Sequence, residues 1–114
     1  MFFRNRSDFK EYVINTLRKY GWFAVYAYGT YPIDVIAAKG NSIFAVSLFF
    51  INRKTDISKI KGKIIRKYNT LKSRMKHVPI KPAVIFNNGG DVGCYQPKAD
   101  AVELPFRSFS FSSS

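Results

Sequence analysis

The chain has 114 residues, 46% of them hydrophobic and 17% aromatic, with a net charge of +12. That length supplies one core and not two, and so large an apolar share excludes a disordered chain. No segment approaches the ~20 apolar residues that span a bilayer, and Met1-Phe2-Phe3-Arg4 lacks the extended apolar region of a signal peptide, so the expectation is a soluble, intracellular protein with no membrane partner.

Such a positive balance favours a polyanionic partner, nucleic acid above all. The lone Cys94 has no second cysteine for a disulfide and no Cys/His cluster for zinc, and reads as a small core residue. His77 has no companion either and reads as a helix-end residue.

In chain order, Ser7 or Asp8 is expected to cap a first helix, with Asp8 and Glu11 placed where the helix dipole favours acids. Phe9, Val13, Leu17 and Tyr20 share one face, and Gly21 supplies the stop. Residues 22–28 are aromatic and β-branched and read as a strand, closed by the turn Gly29-Thr30-Tyr31-Pro32. Further strands are expected at about 33–38 and 42–51, separated by Lys39-Gly40-Asn41. A second helix starts at Asp56 or Ser58 and runs to about Lys76. Its apolar positions Ile57, Ile60, Ile64, Tyr68, Leu71 and Met75 recur every three or four residues, the signature of one buried face. Gly62 inside it costs roughly 1 kcal/mol against Ala and leaves room for a neighbouring backbone. Pro79 and Pro82 end the helical region, and residues 83–86 form a short buried strand. Asn87-Asn88-Gly89-Gly90-Asp91 reads as a turn, with Val92-Gly93-Cys94-Tyr95 returning as its hairpin partner. The order α-β-β-β-α-β-β describes an α/β fold with a mixed β-sheet flanked by helices. Residues 1–105 form the single domain, and 106–114 are a Phe/Ser tail that adds an edge strand, docks on a partner, or frays.

Asp34 in Pro32-Ile33-Asp34-Val35-Ile36-Ala37, the nearly unbroken apolar run Ser42–Ile51, and the helices before and after them resemble the archaeal Holliday-junction resolvases of the PD-(D/E)xK nuclease superfamily. The resemblance covers roughly residues 7–97. It implies a restriction-endonuclease-like domain, a homodimer, and DNA, four-way junctions included, as partner. In such enzymes an Asp at the second strand and a Glu on the third hold Mg²⁺ or Mn²⁺, and a Lys two residues after that Glu assists the reaction. Asp34 matches the first position by alignment, whereas Ser47 stands for the Glu and Phe49 for the Lys. Side chains alternate along a strand, so Ser47 and Phe49 share a face as the Glu and Lys would. A hydroxyl cannot replace the carboxylate's charge, and a phenyl ring supplies neither proton nor cation. The family's helix-1 Glu aligns with Lys10, one residue from Glu11. What the resemblance implies is a scaffold whose site is vestigial, inactive and without a cofactor.

Between Arg53 and Lys81 there are eleven Lys or Arg and one acid, Asp56. Lys59, Lys63, Arg66, Lys67 and Arg74 cluster on the second helix away from its apolar stripe, a band suited to running along phosphates. Arg53 and Lys54 are expected beside the former catalytic cleft, and Arg4, Arg6 and Lys10 on the amino-terminal flank. Two alternatives stay open. Glu11, Lys39 or Lys54 would rebuild a metal-dependent DNA endonuclease site around Asp34, as in superfamily members with relocated residues. The hairpin Gly90-Asp91-Val92 is also similar to one in the carboxy-terminal domain of archaeal tRNA-splicing endonucleases, where this chain would be a structural subunit.

Overall fold

The computed structural model describes residues 3–29, 31–53, 55–96 and 103–109. Asn5 caps the first helix, α1 (Arg6–Lys19), by accepting the Asp8 backbone N–H at 2.9 Å. The cap therefore sits ahead of the expected Ser7 or Asp8, because an extended Asn5 puts its amide oxygen within reach of the first free donors. At the other end Gly21 adopts φ 86°. Its N–H bonds Arg18 C=O at 3.1 Å and the Trp22 N–H bonds Leu17 C=O at 3.0 Å, the paired closure that a left-handed glycine allows.

Strands β1 (Phe23–Tyr26), β2 (Val35–Lys39) and β3 (Ser42–Phe49) follow, then α2 (Ile57–Arg74), β4 (Lys81–Asn88), β5 (Asp91–Tyr95) and β6 (Arg107–Phe109). The six strands lie in one open mixed sheet in chain order, with β3–β4 and β5–β6 parallel and the other pairs antiparallel. A parallel pair needs a long crossover, and α2 is the one that joins β3 to β4.

Strand β4 is longer at both ends than residues 83–86. Pro82 is tolerated inside it because β5 reaches back only to Val84, so β4 is bordered on one side there. Asn87 and Asn88 belong to the strand and not to the turn. The Asn87 amide bonds both the N–H and the C=O of Ile51, at 2.6 and 3.0 Å, and Asn88 does the same for Thr55 at 2.8 and 2.7 Å. Two side chains thus do the work of a strand pair and hold the β3–α2 loop in place.

Of the alternatives left open for the tail, the edge strand is the one that forms. Arg107–Phe109 pairs with β5, and the Phe109 ring meets Phe86 edge-on at 5.1 Å. A Cβ on Gly93 would collide with both rings, so this strand needs glycine beneath the pair. The division at 105/106 therefore falls within packed structure, while residues 110–114 lie outside the described residues.

The sheet separates two cores. On one face Phe44, Val46 and Leu48 of β3 pack with Phe9, Val13, Ile14 and Leu17 of α1 and with Cys94. On the other, Ala45 and Phe49 join Ile60, Ile64 and Leu71 of α2, with Tyr68 and Met75 at the margin. The apolar spacing read in α2 is the buried stripe, and Ile65 adds to it. Gly62, by contrast, is exposed, and a Cβ there would meet open space among the described residues, so no backbone approaches it.

Candidate nucleic-acid interface

Asp34 lies one residue before β2, where its backbone extends the pairing through Asp34 N–H to Val46 C=O at 2.8 Å and Ala27 N–H to Asp34 C=O at 3.0 Å. The β2–β3 register ends at Val35 opposite Val46, which leaves the Leu48 N–H without a β2 partner. Asp34 Oδ2 accepts that N–H at 2.8 Å, and Oδ1 accepts from Arg6 Nη2 at 2.9 Å. Both carboxylate oxygens are therefore engaged, and the side chain ties the first turn of α1 to the end of β3.

Alternation along β3 puts Ser47 and Phe49 on the α2 face. Ser47 is fully buried, and its Oγ has no hydrogen-bond partner among the described residues. Phe49 is half-buried and floors a cavity of about 280 Å³. Tyr31 and Pro32 form its opposite lip, and Lys63, Arg66, Lys67 and Thr70 of α2 form the wall. Lys67 Nζ lies 5.9 Å from the centre of the Phe49 ring. These residues do not fit a divalent-metal centre. The position of the expected Glu is a sealed neutral hydroxyl, the position of the Lys is an apolar floor, and Asp34 is already bonded on both oxygens. Among the described residues no group of three His, Cys, Asp or Glu is gathered as a ligand set.

Of the groups named for a relocated site, Lys39 is bound elsewhere. Lys39 ends β2, so five residues of extended chain, about 17 Å, separate it from Asp34. Its ammonium donates to Tyr20 C=O at 2.8 Å and lies 5.9 Å from the Trp22 ring. Glu11 is exposed on α1. Lys54 lies outside the described residues.

The cations fall into two groups. Near the amino terminus Arg4 pairs with Asp8 at 2.8 Å, holding that carboxyl below its usual range through the hydrogen bond. Arg6 pairs with Asp34, and Lys10 lies 5.3 and 5.5 Å above the rings of Tyr26 and Tyr28. On α2, Lys59, Lys63, Arg66 and Arg74 are exposed and Lys67 is half-buried. None of these five forms an ion pair among the described residues. At 100° per residue they fall within an arc of about 100°, in a row about 22 Å long. The row runs beside the apolar stripe and not opposite it, so that three of its members overhang the cavity. Arg53 is exposed in the loop that leads into α2.

Sequence reasoning gave Tyr31 a place in a turn and in a dimer contact but not beside α2, and passed over Thr70, because only the folded chain brings the β1–β2 turn against α2. Cys94 is buried in the α1-side core, and burial pushes its thiol up to about 12, which leaves it un-ionised and unreactive. No helix is long and apolar enough to cross a membrane among the described residues. No protein-family model matches this chain, and no curated protein matches it.

Proposed function

We propose that this protein binds DNA, branched or duplex, through its backbone phosphates, and that it does not cut by the metal-dependent route of the nucleases it resembles. The observation that carries this reading is the row Lys59, Lys63, Arg66, Lys67 and Arg74, free of acidic partners among the described residues in a chain of net charge +12. Unpaired cations repel one another at a cost that an approaching polyanion relieves, and phosphates supply most non-specific affinity. Surface helices with no polyanionic partner usually mix signs. The engaged carboxylate of Asp34 and the apolar floor at Phe49 support the non-cutting half of the proposal.

The protein acts as a homodimer in this reading. Residues 20–33 contain no charged side chain, and Phe23 and Val25 are exposed on β1 at the open margin of the sheet, with Ile43 of β3 exposed two strands in. An uncharged, apolar strand margin suits a second copy. Gel shifts with a four-way junction and a linear duplex, from low to moderate salt, test the binding. Retarded complexes that dissolve as salt rises are expected, with intact strands after incubation with Mg²⁺ or Mn²⁺. Absence of binding at low salt ends the proposal, and cleavage abolished by Asp34→Ala ends its non-cutting half.

A further inference from the structure

The cavity under α2 combines two chemistries that a plain phosphate track does not need. Its floor and lip are Phe49, Pro32 and the strongly exposed Tyr31, all apolar or aromatic. Its wall carries Lys63, Arg66 and Lys67, with the Thr70 hydroxyl beside them. At about 280 Å³ the open cavity has room for one planar ring system with its phosphate. From this we infer that the cavity is a binding site for a single unpaired nucleotide, its base against Phe49 and Tyr31 and its phosphate held by Lys63, Arg66 and Lys67. This rests on the nucleic-acid reading above and narrows it to a structural class of DNA.

Bases in an intact duplex are stacked, and their faces are closed to side chains. A base reaches an aromatic floor only when it is displaced from the stack, at a bulge, a branch point or a strand end. Stacking on an aromatic ring is tolerant of base identity, because every base has a π-face. The Lys67 ammonium now sits 5.9 Å from the Phe49 ring centre, a long and weak contact at a half-open site. A nucleotide replaces that contact with a base face and gives the ammonium a phosphate instead. Thr70 Oγ1 donates to Arg66 C=O at 3.0 Å, which turns its lone pairs outward to accept from an exocyclic amine.

The test uses fluorescence anisotropy on the full chain with three labelled duplexes of one sequence: perfectly paired, carrying a one-nucleotide bulge, and carrying an abasic residue at the same bulge. The bulged duplex is expected to bind about tenfold tighter than the paired one, with the abasic bulge close to the paired value. In Tyr31→Ala and in Phe49→Ala the ratio of the two constants falls toward one. Tyr31 is an exposed side chain, so the first variant keeps the test readable where the second destabilises the fold. Calorimetry with dAMP separates a strand-borne nucleotide from a free one. Heat with dAMP that vanishes in the Tyr31 variant, without any gain for the bulge, overturns the strand-borne form. Equal affinity for all three duplexes, with no dAMP binding, overturns the pocket while leaving phosphate binding standing. No binding to any duplex at low salt overturns the underlying reading instead.

Discussion

The two sides of β3 are made by one eight-residue strand, yet they serve different ends. Toward α1 it presents Phe44, Val46 and Leu48, all fully buried in the α1-side core. Toward α2 it presents Ala45, Ser47 and Phe49, a series that begins in packing and ends at the floor of an open cavity. The first side holds the fold together by burying large side chains. The second surrenders some of that burial, with an orphaned hydroxyl and a half-covered ring, at the place where α2 leans its cations over the sheet. A strand's period of two lets stability and binding be tuned separately, one residue apart.

The largest break in this comparison comes from the closed side. Phe44→Ala is expected to cost about 3–5 kcal/mol by removing a fully buried ring, whereas Phe49→Ala, half-covered in the native state, costs clearly less. Urea unfolding followed by tryptophan fluorescence reads both, and equal losses would erase the distinction between the sides. Next comes Asp34→Ala, which strips the Leu48 N–H and Arg6 of their acceptor, with an expected cost of about 1–3 kcal/mol. A ligand that mattered only for a metal would leave the unfolding midpoint in place when removed.

Cys94 sharpens the contrast by pH. Its thiol, ordinarily at 9.0, is raised to about 12 in the folded chain because burial penalises the thiolate. Below pH 9 both states are protonated and the group costs nothing. As pH climbs from 9 toward 12 the unfolded thiol ionises and the folded one does not, so stability falls by on the order of 1 kcal/mol per pH unit. A Cys94→Ala variant should lose that part of the alkaline decline, which denaturation curves at pH 8 and pH 11 measure. The smallest effect is expected at Ser47→Ala. Its Oγ has no partner among the described residues, so the substitution leaves stability within about 0.5 kcal/mol or raises it. A marked loss would reveal an accepted hydrogen bond at that hydroxyl.

Much of the scaffold was legible from local chemistry. The three-and-four spacing from Ile57 to Met75 marks α2 without ambiguity, and Gly21 marks the end of α1 because the closure there requires a left-handed residue. Asn87 and Asn88 misled because Asn and Gly together read as a turn, while their amides are used across the sheet on Ile51 and Thr55, thirty-odd residues away in sequence. The basic row was visible as composition and helical spacing. Its relation to Phe49 and Tyr31 was not, since it depends on how closely α2 lies over the margin of β3. Arg4, Arg6 and Lys10 read as free positive charge in the sequence, but each has a partner within the chain, two of them acids and one an aromatic pair. Net charge counts such residues, and only geometry shows which are already spent.

The slope of log affinity against log salt for a four-way junction tests the account most directly. Comparison of the natural chain with a combined Lys63→Gln, Arg66→Gln, Lys67→Gln variant isolates the row on α2. Each phosphate contact contributes about 0.9 to the slope, so the variant should be shallower by roughly 2–3 and weaker at every salt concentration. Identical slopes for the two proteins would contradict a phosphate grip by α2.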